Sequence, residues 1–294
     1  MIVFNKNLYK YDKHINFFSF LKSSSNLPQS IIIEGEEGIG KKNFIIHFIL
    51  KNYLAVDCAK LSTDELFKNL IENKVNNIKV IQEINNNINI DQIRELLIFS
   101  SKSSFDDKFK LVLIFNLEDL NINAANCLLK ILESPPRNTF FFLLKNSEKP
   151  VIKTIMSRCF KYNIKFSFSE KNEIFESLLD NYNLKNFNNF KIFNKYETPG
   201  SKINKILFLK KNNIENNSIS SIIYFCISDY VKNKNFYSLE YGLLFLKEYL
   251  FNVKKQNLSV SLKQLQIILS KVSDSVKYRT DLLSLSSYIN QIIK

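Results

Sequence analysis

Three stretches of this chain are apolar at consecutive positions rather than alternate ones: Ser30-Ile31-Ile32-Ile33-Glu34, Lys110-Leu111-Val112-Leu113-Ile114-Phe115 and Thr139-Phe140-Phe141-Phe142-Leu143-Leu144. Successive side chains of a strand point to opposite faces, so a strand apolar throughout must be covered on both. Between these runs lie segments of helical periodicity. Phe44, Ile45, Phe48 and Ile49 form one apolar stripe, and Ile93, Leu96 and Leu97 form another behind Asp91, which suits an N-cap. A short strand is expected at Ile78–Ile81. A helix is expected over residues 121–133, stopped by Pro135-Pro136, which donate no backbone hydrogen bonds. Apolar strands alternating with amphipathic helices predict an α/β fold with a parallel sheet between helical layers.

The first strand runs directly into Gly35-Glu36-Glu37-Gly38-Ile39-Gly40-Lys41-Lys42. Strand, glycine loop and helix in this order are the context of a phosphate-binding loop, G-x-x-x-x-G-K-[ST]. Gly35, Gly38 and Gly40 permit the tight turn, the helix start offers free amides, and Lys41 can reach a phosphate. The eighth position should supply the hydroxyl that holds magnesium. Lys42 stands there, and an ammonium cannot coordinate a cation. The residues leave two readings open: a nucleotide held without productive magnesium, or a loop kept for packing.

After about residue 166 glycine almost disappears and helical periodicity takes over, in 219–232, 236–252, 260–271 and 276–293. Thr198-Pro199-Gly200-Ser201 is the one clear punctuation mark, expected to introduce a helix at Lys202. The expected division is a core (1–166), a small helical domain (167–210) and an all-helical C-terminal domain (211–294). No apolar run reaches the ~20 residues of a membrane helix. The opening residues lack the layout of a secretory signal, so a cytoplasmic protein is expected. The net charge of +13 invites a nucleic-acid partner. The abundance of Lys, Asn, Ile and Phe, typical of AT-rich coding, produces the same charge, which leaves direct DNA contact open. Cys58, Cys127, Cys159 and Cys226 lie too far apart for a zinc site.

Within 111–162 a series of motifs follows in fixed order: Asn126-Cys127-Leu128-Leu129-Lys130, Leu132-Glu133-Ser134-Pro135-Pro136, Phe140–Leu144, and Thr154-Ile155-Met156-Ser157-Arg158-Cys159. Ile93-Arg94-Glu95-Leu96 precedes them. By these residues the chain resembles the clamp-loader branch of the AAA+ family over most of 15–166. The resemblance implies an AAA+-like P-loop core with a parallel sheet, a small helical lid and an all-α collar for oligomerisation. It also implies partners: motor subunits and a clamp-opening subunit in a ring-like heteropentamer, which loads a sliding clamp at primed DNA.

That branch contains ATP-hydrolysing motors and a sibling with decayed nucleotide motifs. Motors end the second-motif strand with an Asp-Glu pair. Counted back from Asn126, the pair's place holds Phe115-Asn116, and neither residue suits a metal. The expectation is the non-hydrolysing sibling, with no metal ligands and no required cofactor, ATP binding at the degenerate loop being left open. The alternative is a motor with unusual ligands, Glu118 and Asp119 standing in. Asn146 falls where the family has a phosphate-sensing polar residue; the alternative is an asparagine that merely closes a strand. Only Arg94, Arg137, Arg158 and Arg279 are arginines among 41 basic residues. A guanidinium binds phosphate oxygens bidentately as lysine cannot. By its matching Ser-Arg-Cys position, Arg158 is expected to act in trans as an arginine finger in a neighbour's ATP site; the alternative is a surface or salt-bridge arginine. Cys58 is the only cysteine in the window where the family usually carries a zinc module, so that module is expected to be absent.

Overall fold

Five strands form one sheet and all its pairings are parallel, in the order β2-β3-β4-β1-β5. The strands are β1 (Ser30–Gly35), β2 (Ile78–Ile81), β3 (Lys110–Ile114), β4 (Thr139–Asn146) and β5 (Phe160–Asn163). In this computed structural model the described residues are 8–54, 68–84, 87–101, 109–185, 197–214, 218–253 and the isolated positions 263, 266, 267 and 270. The helices are α1 (Asp12–Ser23), α2 (Lys41–Asn52), α3 (Ile90–Ser101), α4 (Ile122–Glu133), the short α5 (Lys153–Met156), α6 (Phe168–Asn181), α7 (Pro199–Lys211), α8 (Ile219–Asn233) and α9 (Phe236–Val253). The expected helices at 260–271 and 276–293 fall almost entirely outside the described residues.

The consecutive apolar runs do what their pattern demands. Ile32, Val112, Ile114, Phe141 and Leu143 are buried together with Ile93 and Leu96 of α3 and Ala124, Leu128 and Leu132 of α4. Phe142, one residue out of phase, faces the other layer and meets Phe48 of α2 edge-on, with ring centroids 5.9 Å apart. Each fully buried Phe or Ile contributes roughly 1.5–3 kcal/mol, so this two-sided burial dominates the stability of the sheet. β5 was not expected from its sequence. Phe160, Lys161 and Asn163 are polar or exposed, because among the described residues this strand lies at the sheet edge and pairs only with β1.

Two helix starts differ from expectation. Asp91 lies inside the first turn of α3, and the cap position is Asn89, whose amide donates to the Gln92 side chain at 2.9 Å. Gln92 reaching back three residues satisfies the orphan donor, while Asp91 pairs with Arg94 at 3.0 Å. The helix expected at Lys202 begins at Pro199. Proline suits the first helical turn, where its missing N–H costs nothing.

Contact clustering divides the chain into two compact units. One comprises Met1–Ser177 with Thr198–Gly200, and the other comprises Leu178–Glu197 with Ser201–Lys294. The second has its own apolar core, centred on Phe208, Leu209, Ile222, Ile223, Cys226, Phe245 and Leu250. Its α8 is capped by Ser218, whose side chain accepts from the Ser221 amide at 3.2 Å.

Candidate functional site

β1 lies between β4 and β5, so the chain leaves the sheet at its C-terminal edge, where α/β proteins place their ligand crevice. There the glycine loop turns into α2. Gly38 (φ 72°) and Gly40 (φ 104°) adopt left-handed backbone that glycine alone reaches without strain. Each carbonyl from residue 35 to 39 is held by another group of the protein. Lys41 Nζ donates to Gly35 O at 2.7 Å and to Glu36 O at 2.8 Å. Thr198 Oγ1 donates to Glu37 O at 2.6 Å, and the Gly200 amide to Gly38 O at 3.0 Å. The Tyr11 hydroxyl donates to Ile39 O at 2.7 Å. Glu36 is paired with Lys171 at 2.6 Å. The loop is therefore bent and braced by protein groups, and the first amides of α2 have no acceptor within their own helix.

Where the motif would seat a metal, Lys42 and Phe115 meet. Lys42 Nζ lies 5.0 Å from the centroid of the Phe115 ring, and Phe115 is fully buried just beyond β3. The two replaced positions thus face each other as ammonium and aromatic face, an attractive pair that offers no oxygen to a divalent ion. Burial holds the Lys42 ammonium below its ordinary pKa, opposed by the charges of Glu83, Glu118, Asp119 and Glu37. Burial likewise lowers Lys41 to about 8, against Glu118, Glu37 and Glu36. Five carboxylates (Glu36, Glu37, Glu83, Glu118 and Asp119) therefore act on the two lysines. Glu118 is committed elsewhere, its Oε2 accepting from the Asn146 amide at 3.1 Å. Among the described residues no three His, Cys, Asp or Glu side chains converge as metal ligands. This donor set does not fit a catalytic magnesium ion.

Asn146 is the last residue of β4, opposite Gly35 in register. Its Nδ2 lies 3.4 Å from Glu37 Oε2, and its Oδ1 accepts from the Glu148 amide at 3.0 Å. The structure thus brings Gly35, Gly38, Gly40, Lys41 and Asn146 together.

Arg158 stands apart from that group, after α5. Its Nη2 donates to Glu133 Oε1 at 2.6 Å and its Nη1 to the Thr154 carbonyl at 3.0 Å. The side chain keeps a third of its surface exposed. Below it Ile155 is fully buried, and Cys159 packs on the same core with its thiol pushed up to about 11 by burial. Ser157 bonds back to the Thr154 carbonyl at 3.0 Å. The neighbours of Arg158 are anchors, and the guanidinium is what they present.

With this geometry in view, a family model described as "DNA polymerase III, delta subunit" matches residues 11–167. The chain belongs to that family. Among curated proteins this family member is 37% identical over 78 residues to the DNA polymerase III subunit delta' of Pseudomonas aeruginosa, covering 26% of this chain and 24% of that protein. It is 26% identical over 135 residues to the delta' subunit of Bacillus subtilis, covering 45% and 41%. A subunit gamma of Buchnera aphidicola also matches, at 30% over 135 residues, covering 42% and 36%. The matches thus span from about a quarter to two fifths of these relatives' lengths. A gamma-subunit-related protein of Thermotoga maritima aligns over 93% of this chain and 91% of its own, with 17% identity and a TM-score of 0.42.

Several residues of this delta-family site were not singled out in the sequence. Tyr11 is isolated near the start, and nothing local ties it to Ile39. Thr198 and Gly200 were legible as a helix start, but their partners lie some 160 residues away. Glu133 was visible only as part of a motif, not as the partner of Arg158. Cys58 lies outside the described residues, and Cys127, Cys159 and Cys226 are free thiols.

Proposed function

We propose that this chain acts in DNA replication as the delta-prime subunit of a bacterial DNA polymerase III clamp loader. It does not hydrolyse ATP. It forms a fixed wall of the loader ring and lends Arg158 to the ATP site of a neighbouring motor subunit. The observation that carries the non-hydrolysing part is the contact of Lys42 with Phe115. Phosphoryl transfer to water needs a divalent ion bridging the phosphates, and the two positions that would seat it hold an ammonium and a benzyl ring. No cofactor is required for this role. The partners proposed are motor subunits and a clamp-opening subunit in a heteropentamer, with the sliding clamp and primed DNA met through that complex.

Support for the finger comes from placement. Arg158 is partly exposed, flanked at its base by buried Ile155 and partly buried Cys159, and always charged. A guanidinium so presented stabilises charge on a transferring phosphoryl group without a metal of its own.

The second reading, a motor subunit using Glu118 and Asp119, draws on the gamma relative and on the carboxylates around Lys42. One pair of experiments separates the two. The purified chain with Mg²⁺-ATP, alone and with primed DNA, is expected to show background turnover only; turnover abolished by Lys41→Ala would establish the motor. In a reconstituted loader, Arg158→Ala is expected to slow hydrolysis at the one site it faces by about 10³-fold. An unchanged rate removes the finger.

A further inference from the structure

We infer that Glu133 is a positioning residue for Arg158, an inference that rests on the proposed trans-acting role of that arginine. Arginine carries five N–H donors on a long side chain with considerable rotamer freedom. A group that must enter another subunit's site gains from having its plane set beforehand, because the ordering is then complete before the encounter. Two acceptors set that plane here. The Thr154 carbonyl takes one N–H from Nη1 at 3.0 Å, and Glu133 Oε1 takes one from Nη2 at 2.6 Å. Both belong to helices. Thr154 lies in α5, and Glu133 is the last residue of α4, a helix fastened to the sheet core through Ala124, Leu128, Ile131 and Leu132. Three N–H groups remain for a phosphate: Nε–H and one on each terminal nitrogen.

The carboxylate lies at the right strength for this task. Its side chain is about half exposed, so the pair is screened by water and is weak. It orders the guanidinium without burying it. A fully enclosed pair would hold the arginine too firmly to change partners. The position also accounts for why the charged residue of Leu132-Glu133-Ser134-Pro135-Pro136 stands where it does: the prolines end α4 and leave Glu133 at the rim, 25 residues from Arg158 in sequence.

The test is a double-mutant cycle in the reconstituted loader with full-length subunits, measuring kcat and KM for ATP. Glu133→Ala is expected to lower kcat about threefold to fivefold, the scale of an exposed ion pair, with KM unchanged. Glu133→Gln, whose amide oxygen still accepts from Nη2, is expected to recover most of that loss. In an Arg158→Ala background, Glu133→Ala is expected to have no further effect. A loss of equal size in both backgrounds would mean that Glu133 merely supports the end of α4, and would overturn the inference. A rise in kcat would make it a competitor of the phosphate, and would overturn it equally. If Arg158→Ala lowers kcat but Glu133→Ala does not, positioning fails while the finger stands. If Arg158→Ala itself changes nothing, both fail.

Discussion

His14 sits on the buried face of α1 among the rings of Tyr11, Phe44, Tyr162 and Phe166. Its Nδ1 lies 2.6 Å from the Tyr162 hydroxyl. Its Nε2 has no hydrogen-bond partner among the described residues. Burial therefore favours the neutral ring and lowers its pKa to about 4. The unfolded chain takes up a proton near 6.5 that the folded one refuses, so stability is lost as pH falls from about 6.5 towards 4. The expected loss is about 2–3 kcal/mol, and urea melts of the protein and of His14→Phe across that range should show it: the substitution flattens the slope. No sequence pattern marks this histidine, because its environment is assembled from α1, α2 and residues 162–166. By contrast, the replacement at 42 was legible as a broken motif, since a fixed spacing demands a hydroxyl there. What spacing could not reveal is that Lys42 and Phe115 meet. Two losses that look independent in the chain are one contact in space.

At the scale of elements, the turn into α7 is bound to the glycine loop. A Cβ added at Gly200 would stand 2.4 Å from the Gly38 carbonyl oxygen, with backbone on both sides of the contact and no flexible side chain to yield. Gly200→Ala is therefore expected to cost about 2–3 kcal/mol, read as a lower melting temperature. Thr198→Val, which removes the bond to Glu37, should cost about 1 kcal/mol. Thr198→Ser should recover most of it. In the helical unit, α7 carries Lys205 into the core, where Nζ lies 2.7 Å from Glu197 and 3.3 Å from Glu248. Lys205→Met removes a cation that two enclosed carboxylates share, and about 3 kcal/mol of destabilisation is expected. Burial already raises the Glu248 pKa. The damage should therefore shrink as pH falls and Glu248 takes up its proton, and denaturant melts at acid and neutral pH would show the difference. The helices themselves were readable from periodicity, α8 and α9 to within a residue. The buried Lys205 was not, because a lysine in a helical stretch looks like a solvated one until its neighbours are known.

For the molecule as a whole, pairs such as Lys10–Glu173, Lys79–Glu95 and Lys171–Glu36 each sum to zero, so the +13 is the excess of basic over acidic residues, scattered along the sequence without a dense basic tail. The isolated chain is accordingly expected to bind primed DNA weakly at physiological salt. Tight binding with a steep fall on adding salt would instead indicate a nucleic-acid role independent of any partner. The parallel sheet was legible because three strands are apolar on both faces, a demand that few architectures meet. β5 was not, because an edge strand needs no such pattern. The brace on the glycine loop has a consequence for how the chain comes into being. Glu37 and Thr198 are 161 positions apart, so during synthesis the strand and helix flanking the loop are complete long before its last two supports leave the ribosome. Half-held by Tyr11 and Lys41, the loop gains these two supports only when the turn at 198–200 arrives, after the last strand of the sheet has been made.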